Sequence, residues 1–401
     1  MGAKRALPAL ALGVLSAVML EIGTAGCGSG SSESASGAFD LPTVVSLGGP
    51  VLATPRVQPI YFTGFPHAAE IDAFLQRLAA SNYWTAVASE YGVGAPTIAA
   101  GVHSGVAVAR ALVLADLTPL LEQTFQADAA ALGAPDGGTV YALFFSPDTS
   151  ITVSGTSLCQ AGAPSGFHFE TQVAGQRVPV VVVPTCASLG DSGLSGAAAL
   201  TPPLSHELVE AATDPFPTSQ PAFADTDQRH PMWAQALAGA EIGDLCENEA
   251  PNLTTPSDVG SPVQRIWSNA GVAAGTGPCV PVPAGEVYFN AAARLPETIT
   301  IQRYGMTVPV PAVRAAVGAT ATVEVEFGSN GGSPSSWSAA AVEVHTAAKL
   351  TARPTPVTGR RDEMHTLTIA TPESTAGLFP FVVVSRAGDQ VHLWVGTIQR
   401  Q

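Results

Sequence analysis

His206, Glu207 and Glu210 are the residues whose types and spacing could do chemistry, within Ser205-His206-Glu207-Leu208-Val209-Glu210-Ala211-Ala212-Thr213-Asp214-Pro215. Positions four apart on an α-helix share a face, so His206 and Glu210 can reach one ion. Zinc accepts both imidazole nitrogen and carboxylate oxygen. The order His-Glu-x-x-Glu is the zinc-hydrolase pattern H-E-x-x-H with a carboxylate in place of the second histidine. In such a site Glu207 stands beside the bound water as general base, and the cofactor is Zn2+. The expected third ligand is Glu241, in Glu241-Ile242-Gly243-Asp244-Leu245-Cys246, with Asp244 and Asp214 as alternatives. Asp214, two turns beyond His206, is the better candidate for holding a ligand by a hydrogen bond.

A plainer reading stands beside this one, since glutamates on a helix are usually a solvated face. An anionic ligand in place of a neutral histidine also makes a bound water less acidic, which favours a non-catalytic module. His168, on a predicted strand, is a candidate cleft residue or stray ligand, with a structural role as the alternative. His67, His103, His230, His345, His365 and His392 show no partner spacing and read as structural. Ser205 is not in G-x-S-x-G, and no P-loop or dinucleotide fingerprint is present.

The elements that must position these residues follow from pattern. Thr201-Pro202 reads as the start of the key helix, threonine as cap and proline in the first turn, and Pro215 ends it. Helical spacing predicts helices over 68–80, 83–91 and 117–132. Strands are expected at 44–47, 57–62, 139–145, 167–171 and 178–183. Thr139–Phe145 is continuously apolar and so central. Pro59 suggests that the 57–62 strand lies at an edge or ends there. From residue 284 the pattern becomes short β-branched runs at 298–301, 320–327, 340–345, 365–370, 379–384 and 391–397. Turn signals such as Ser329-Asn330-Gly331-Gly332 separate them. That predicts an all-β sandwich of immunoglobulin-like type over 284–401.

The N-terminus reads as an export leader over 1–26. Lys4 and Arg5 precede an apolar run from Ala6 to Leu20, too short for a spanning helix. Thr24-Ala25-Gly26-Cys27 resembles a lipobox, so Cys27 is the expected lipidation site and 27–40 a flexible tether. This predicts an exported protein anchored by lipid at the outer membrane or cell surface, or facing the periplasm. The formal charge of −15, with Lys349 the only lysine after Lys4, excludes nucleic acid as a partner. A 46% hydrophobic composition excludes a disordered chain. The protein is expected to act as a monomer on a peptide or a cell-wall polysaccharide. Cys159, Cys186, Cys246 and Cys279 allow three disulfide pairings, of which sequence neighbours suggest Cys159–Cys186 and Cys246–Cys279. A four-cysteine zinc site lacks any C-x-x-C knuckle.

Several short stretches together resemble the phosphate-induced, or EXORDIUM-like, family of secreted proteins. They are Gly48-Gly49-Pro50-Val51-Leu52, Val57 to Tyr61, Cys159 with Gly166-Phe167-His168-Phe169, Cys186, Ser205 to Pro215, Glu241 to Glu247, and Cys279. The resemblance covers about residues 44 to 280. It implies a zincin-like α/β (α+β) domain, spanning 41–283, in which glutamate at 210 is the expected residue. It implies no agreed activity, and the C-terminal β region lies outside it.

Overall fold

The computed structural model describes residues 39–160, 165–187, 192–237, 239–344, 355–370 and 375–401. The leader, Cys27, residues 27–38 of the tether and His345 lie outside them. The main sheet of the first half contains β1 (Arg56–Phe62), β2 (Thr97–Ile98), β3 (Val102–Ser104), β4 (Thr139–Phe144), β5 (Phe167–Val173) and β6 (Gln176–Val183). Their order is β2-β1-β4-β6-β5, with β3 also on β1. All pairings are parallel except β5 on β6. Ala174 and Gly175 both have positive φ, 50° and 80°, as a two-residue turn matching the strand twist requires. That hairpin makes β5 the antiparallel edge strand.

Alternation along the strands sorts two cores. Val140, Ala142, Phe144, Val181 and Val183 face one side, while Tyr141, Leu143, Val180 and Val182 face the other. Helices α1 (Ala68–Ala79), α2 (Asn82–Ala88) and α4 (Ala197–Thr213) cover the first side, and α3 (Leu114–Ala127) the second. Pro59 lies inside the sheet rather than at an edge. Thr97–Ile98 pairs with β1 up to Val57, and Val102–Ser104 pairs from Ile60 onward. The proline falls in the gap between these short partners, where Gln58 Nε2 donates to the carbonyls of Pro59 and Ala100.

Helix α4 begins at Ala197, a turn earlier than the Thr201-Pro202 signal predicts. Pro202 and Pro203 therefore lie inside it, although proline removes backbone donors. Thr201 Oγ1 compensates by donating to Ala198 O at 3.4 Å and Pro262 O at 2.7 Å. Nearly every residue of α4 is buried, as expected for a helix enclosed by the fold rather than lying on it.

The second half consists of β7 (Phe289–Arg294), β8 (Glu297–Arg303), β9 (Met306–Ala315), β10 (Ala321–Ser329), β11 (Trp337–Glu343), β12 (Val357–Gly359), β13 (Met364–Ala370), β14 (Gly377–Ala387) and β15 (Gln390–Arg400). The expected sandwich of two packed sheets is instead a single hydrogen-bonded path, β7-β10-β13-β11-β14-β15-β9-β8, with β12 on β11. The sheet curls. Asn290 on β7 donates to Leu393 O at 2.9 Å, and Ala291 N donates to Ser385 Oγ at 3.0 Å. Curling buries one face of each strand as a sandwich would, so the alternation reads the same for both.

The two halves share a core that runs from Phe39 and Trp233 to Phe289 and Trp394. Polar ties also cross between them. Glu249 accepts from Leu393 N at 2.9 Å and pairs with His392 at 2.5 Å, and Asp225 meets Arg303 and Tyr304. Cys159–Cys186 and Cys246–Cys279 are both disulfide-bonded, the pairing of sequence neighbours, which fits maturation in an oxidising compartment. Among the described residues no helix is long and apolar enough to cross a membrane.

Candidate metal centre

Helix α4 is divided by its own periodicity. Leu200, Leu204, Leu208 and Ala212 pack into the core under the sheet. His206, Glu207 and Glu210 project from another side, and Asp214 caps the end, its N–H donating to Glu210 O at 2.6 Å. Two other segments meet these side chains.

The first is β5, which brings His168. Its Nδ1 lies 3.4 Å from Glu207 Oε2 and 3.6 Å from Glu210 Oε2. The second runs from Glu241 to Glu247. The backbone N–H groups of Gly243 and Asp244 donate to Glu210 Oε1 at 2.9 and 3.1 Å, fixing that carboxylate. Glycine is needed at 243 because a Cβ would stand 2.6 Å from Glu210 Oε1 and 2.8 Å from the His206 ring. Gln264 secures the segment by donating to Gly243 O at 2.8 Å. Each disulfide braces one of these approaches. Cys159–Cys186 ties the chain before β5 to the chain after β6, and Cys246–Cys279 ties the Glu241–Glu247 segment to a short ladder at Trp267.

His206 Nε2 lies 3.0 Å from Glu210 Oε2 and 3.8 Å from Asp244 Oδ1. Glu241, the expected third ligand, instead faces the other nitrogen of His168 at 3.3 Å, leaving Asp244 on the His206 side. Asp214 Oδ1 accepts from Ala222 N at 2.8 Å, while its Oδ2 is buried without a hydrogen bond. His168 Nε2 and Glu241 Oε1 are likewise buried without an aligned one.

The charge balance is lopsided. Glu207, Glu210 and Asp214 are buried, and Glu241 and Asp244 are partly buried, with 19% and 22% of their side chains exposed. Two imidazoles face them, and among the described residues no lysine or arginine pairs with any of the five. Burial alone would lower the pKa of His168 and His206, but the surrounding carboxylates, led by Glu241 for one and Glu210 for the other, hold both well above the usual imidazole range. Burial first, then Glu210, pushes the Asp244 carboxyl well above its usual range, and burial raises Asp214.

Residues of these types could hold a divalent cation. Ligand atoms around a tetrahedral zinc with bonds of about 2.0 Å lie about 3.3 Å apart. Two groups of atoms approach that spacing, His168/Glu207/Glu210 and His206/Glu210/Asp244. The sequence marked His168 by its predicted strand and by the Gly166-Phe167-His168-Phe169 stretch; nothing in spacing linked it to Glu207. Surface cavities of about 270 Å³ beside Arg229 and Trp394, and about 370 Å³ beside Tyr304 and Leu47, do not touch the cluster. Compared with known proteins, the chain matches no family model and no curated protein.

Proposed function

We propose that this chain is an exported, zinc-dependent hydrolase acting on peptide bonds. The observation that carries the reading is the excess of buried carboxylate over positive charge around two imidazoles. Uncompensated buried charge is costly, by several kcal/mol per ion, and a bound dication removes the cost. His206 Nε2, Glu210 Oε2 and Asp244 Oδ1 are the groups to hold the ion, with Glu210 Oε1 already committed to two backbone amides. When bound, zinc supplies an acidified water and polarises a carbonyl. Glu207, one residue from His206 and 6% exposed, is the carboxylate to take the proton from that water. The lipid anchor at Cys27 is a further part of the proposal, carried by the leader sequence.

A second reading has its own observation. His206, Glu207 and Glu210 are 8%, 6% and 2% exposed, which leaves little access for a substrate beside an ion held there. A non-catalytic module that binds polysaccharide or protein through this scaffold would need only the closed site. Elemental analysis of protein purified without chelator tests the metal itself; no bound zinc, with melting unchanged by EDTA, removes it. Hydrolysis of a peptide library that disappears in Glu207→Gln, while the ion at His206 stays, supports the enzyme. Zinc retained with no turnover in the native protein, together with glycan binding, supports the module.

A further inference from the structure

Glu210 belongs to both groups of potential ligand atoms, but the two histidines do not share one. His168 stands with Glu207 and Glu210, and His206 with Glu210 and Asp244, the atoms of each group lying within 4.8 Å of one another. Two ligands of one zinc are at most about 4.2 Å apart, twice a bond of about 2.1 Å. A single ion therefore satisfies one group and leaves the other as it was. Glu210 Oε2 is nonetheless close to both imidazoles, 3.0 Å from His206 Nε2 and 3.6 Å from His168 Nδ1. Its other oxygen is anchored by Gly243 and Asp244, so Oε2 is held where the two groups meet.

Charge points the same way. With both histidines neutral, as ligands must be, the candidate ligands Glu207, Glu210 and Asp244, with Glu241 behind His168, present more carboxylate than one dication balances. His168 is also built like a ligand. Its side chain is 4% exposed, one nitrogen faces Glu207 and Glu210, and the other faces Glu241 without an aligned hydrogen bond. A carboxylate behind the far nitrogen is the usual means of orienting a metal-bound imidazole.

We propose that the pocket holds two divalent cations bridged by Glu210, the second bound by His168 Nδ1 and Glu207 Oε2 with Glu241 orienting the ring. The assignment rests on the metal reading of the site given above. It makes Glu241 a positioning residue. It also gives Glu207 two jobs, with Oε2 on the second ion and Oε1, on the Gly166 side, left for the proton.

The test is metal content of the full chain after dialysis against zinc or manganese, read with the manganese spin-resonance spectrum. The native protein binds about two ions per chain and shows an exchange-coupled spectrum, as two ions some 3.5–4 Å apart do. His168→Ala and His168→Gln each bind about one ion and give an uncoupled spectrum. Glu241→Gln keeps both ions but weakens the second by about 10- to 100-fold. Far-ultraviolet dichroism and melting of each variant establish that it is folded, and the two substitutions at His168 guard against the failure of either one. One ion in the native protein, unchanged by substitution of His168, overturns the two-ion site and leaves the single-ion proposal intact. No ion in the native protein overturns both.

Discussion

Where β11 and β15 end inside the curled sheet, Glu343 and Arg400 have fully buried side chains, and the guanidinium donates to the carboxylate at 2.7 and 3.1 Å. Around His206, five buried or partly buried carboxylates face two imidazoles. The first region handles buried charge by matching it. Glu286 with Arg265 follows the same pattern. The second region leaves it unmatched. A fold that pairs its structural charges with arginine and leaves one cluster without such a partner is what the proposed metal reading builds on. The contrast teaches that burial of acid is not itself the sign of a site; the sign is burial without an equal count of cationic side chains.

The comparison can be broken at either end. Arg400→Met takes the guanidinium from a fully buried carboxylate and should destabilise the protein by about 3–5 kcal/mol, read by denaturant unfolding. A loss below about 1 kcal/mol would mean that the matched pair is not structural. Gly243→Ala drives a methyl group against Glu210 and His206 and should cost about 1–3 kcal/mol. Metal content should fall with it, because the strain lands on the ligands. A variant that keeps full metal content would show that the 239–247 segment yields freely.

In metal-free protein, Glu210→Gln should lose less than about 1 kcal/mol or gain stability. The amide oxygen still accepts from Gly243 and Asp244, while a charge is removed from an overcrowded cluster. The same variant should lose metal entirely. A loss as large as that of Arg400→Met would place Glu210 among the matched structural charges and end the contrast.

The smallest effect is expected at Asp227. Burial works to raise its carboxyl, but hydrogen bonds from His230, Thr43 N and Arg229 N outweigh it and hold it at about 2 against an ordinary 3.8. A depressed carboxyl stabilises the fold above its unfolded value and ceases to do so as pH falls through its folded one. Stability from Asp227 should therefore disappear between about pH 3.8 and pH 2. Acid unfolding of Asp227→Asn, compared with the native protein, checks this; identical acid profiles would remove Asp227 from the account.

Much of the local structure was legible in the sequence. The helix at 68–79 announces itself by Ile71, Phe74, Leu75 and Leu78 at helical spacing, and all four are buried. The strand at 139–144 is continuously apolar because both of its faces are covered. Where reading failed, a tertiary contact had replaced a local rule. Pro202 signals a helix start, but Thr201 and Pro262 let the helix begin at Ala197. Pro59 signals an edge, but a gap between two short strands accepts it. The curled sheet was read as a sandwich because alternation specifies a buried face and not the strand that hydrogen-bonds beside it.

The sequence by itself determined that His206, Glu207 and Glu210 would lie along one helix, because a 3.6-residue period is local. It also determined that an acidic segment and four cysteines accompany them. Only the tertiary structure decided that His168 reaches Glu207, that Glu241 faces His168 and that Asp244 faces His206. Those meetings depend on an antiparallel edge strand and a segment whose Gly243 lies close against the helix, each braced by its own disulfide. Distances between segments far apart in the chain are set by sheet order and packing, and no residue spacing encodes them.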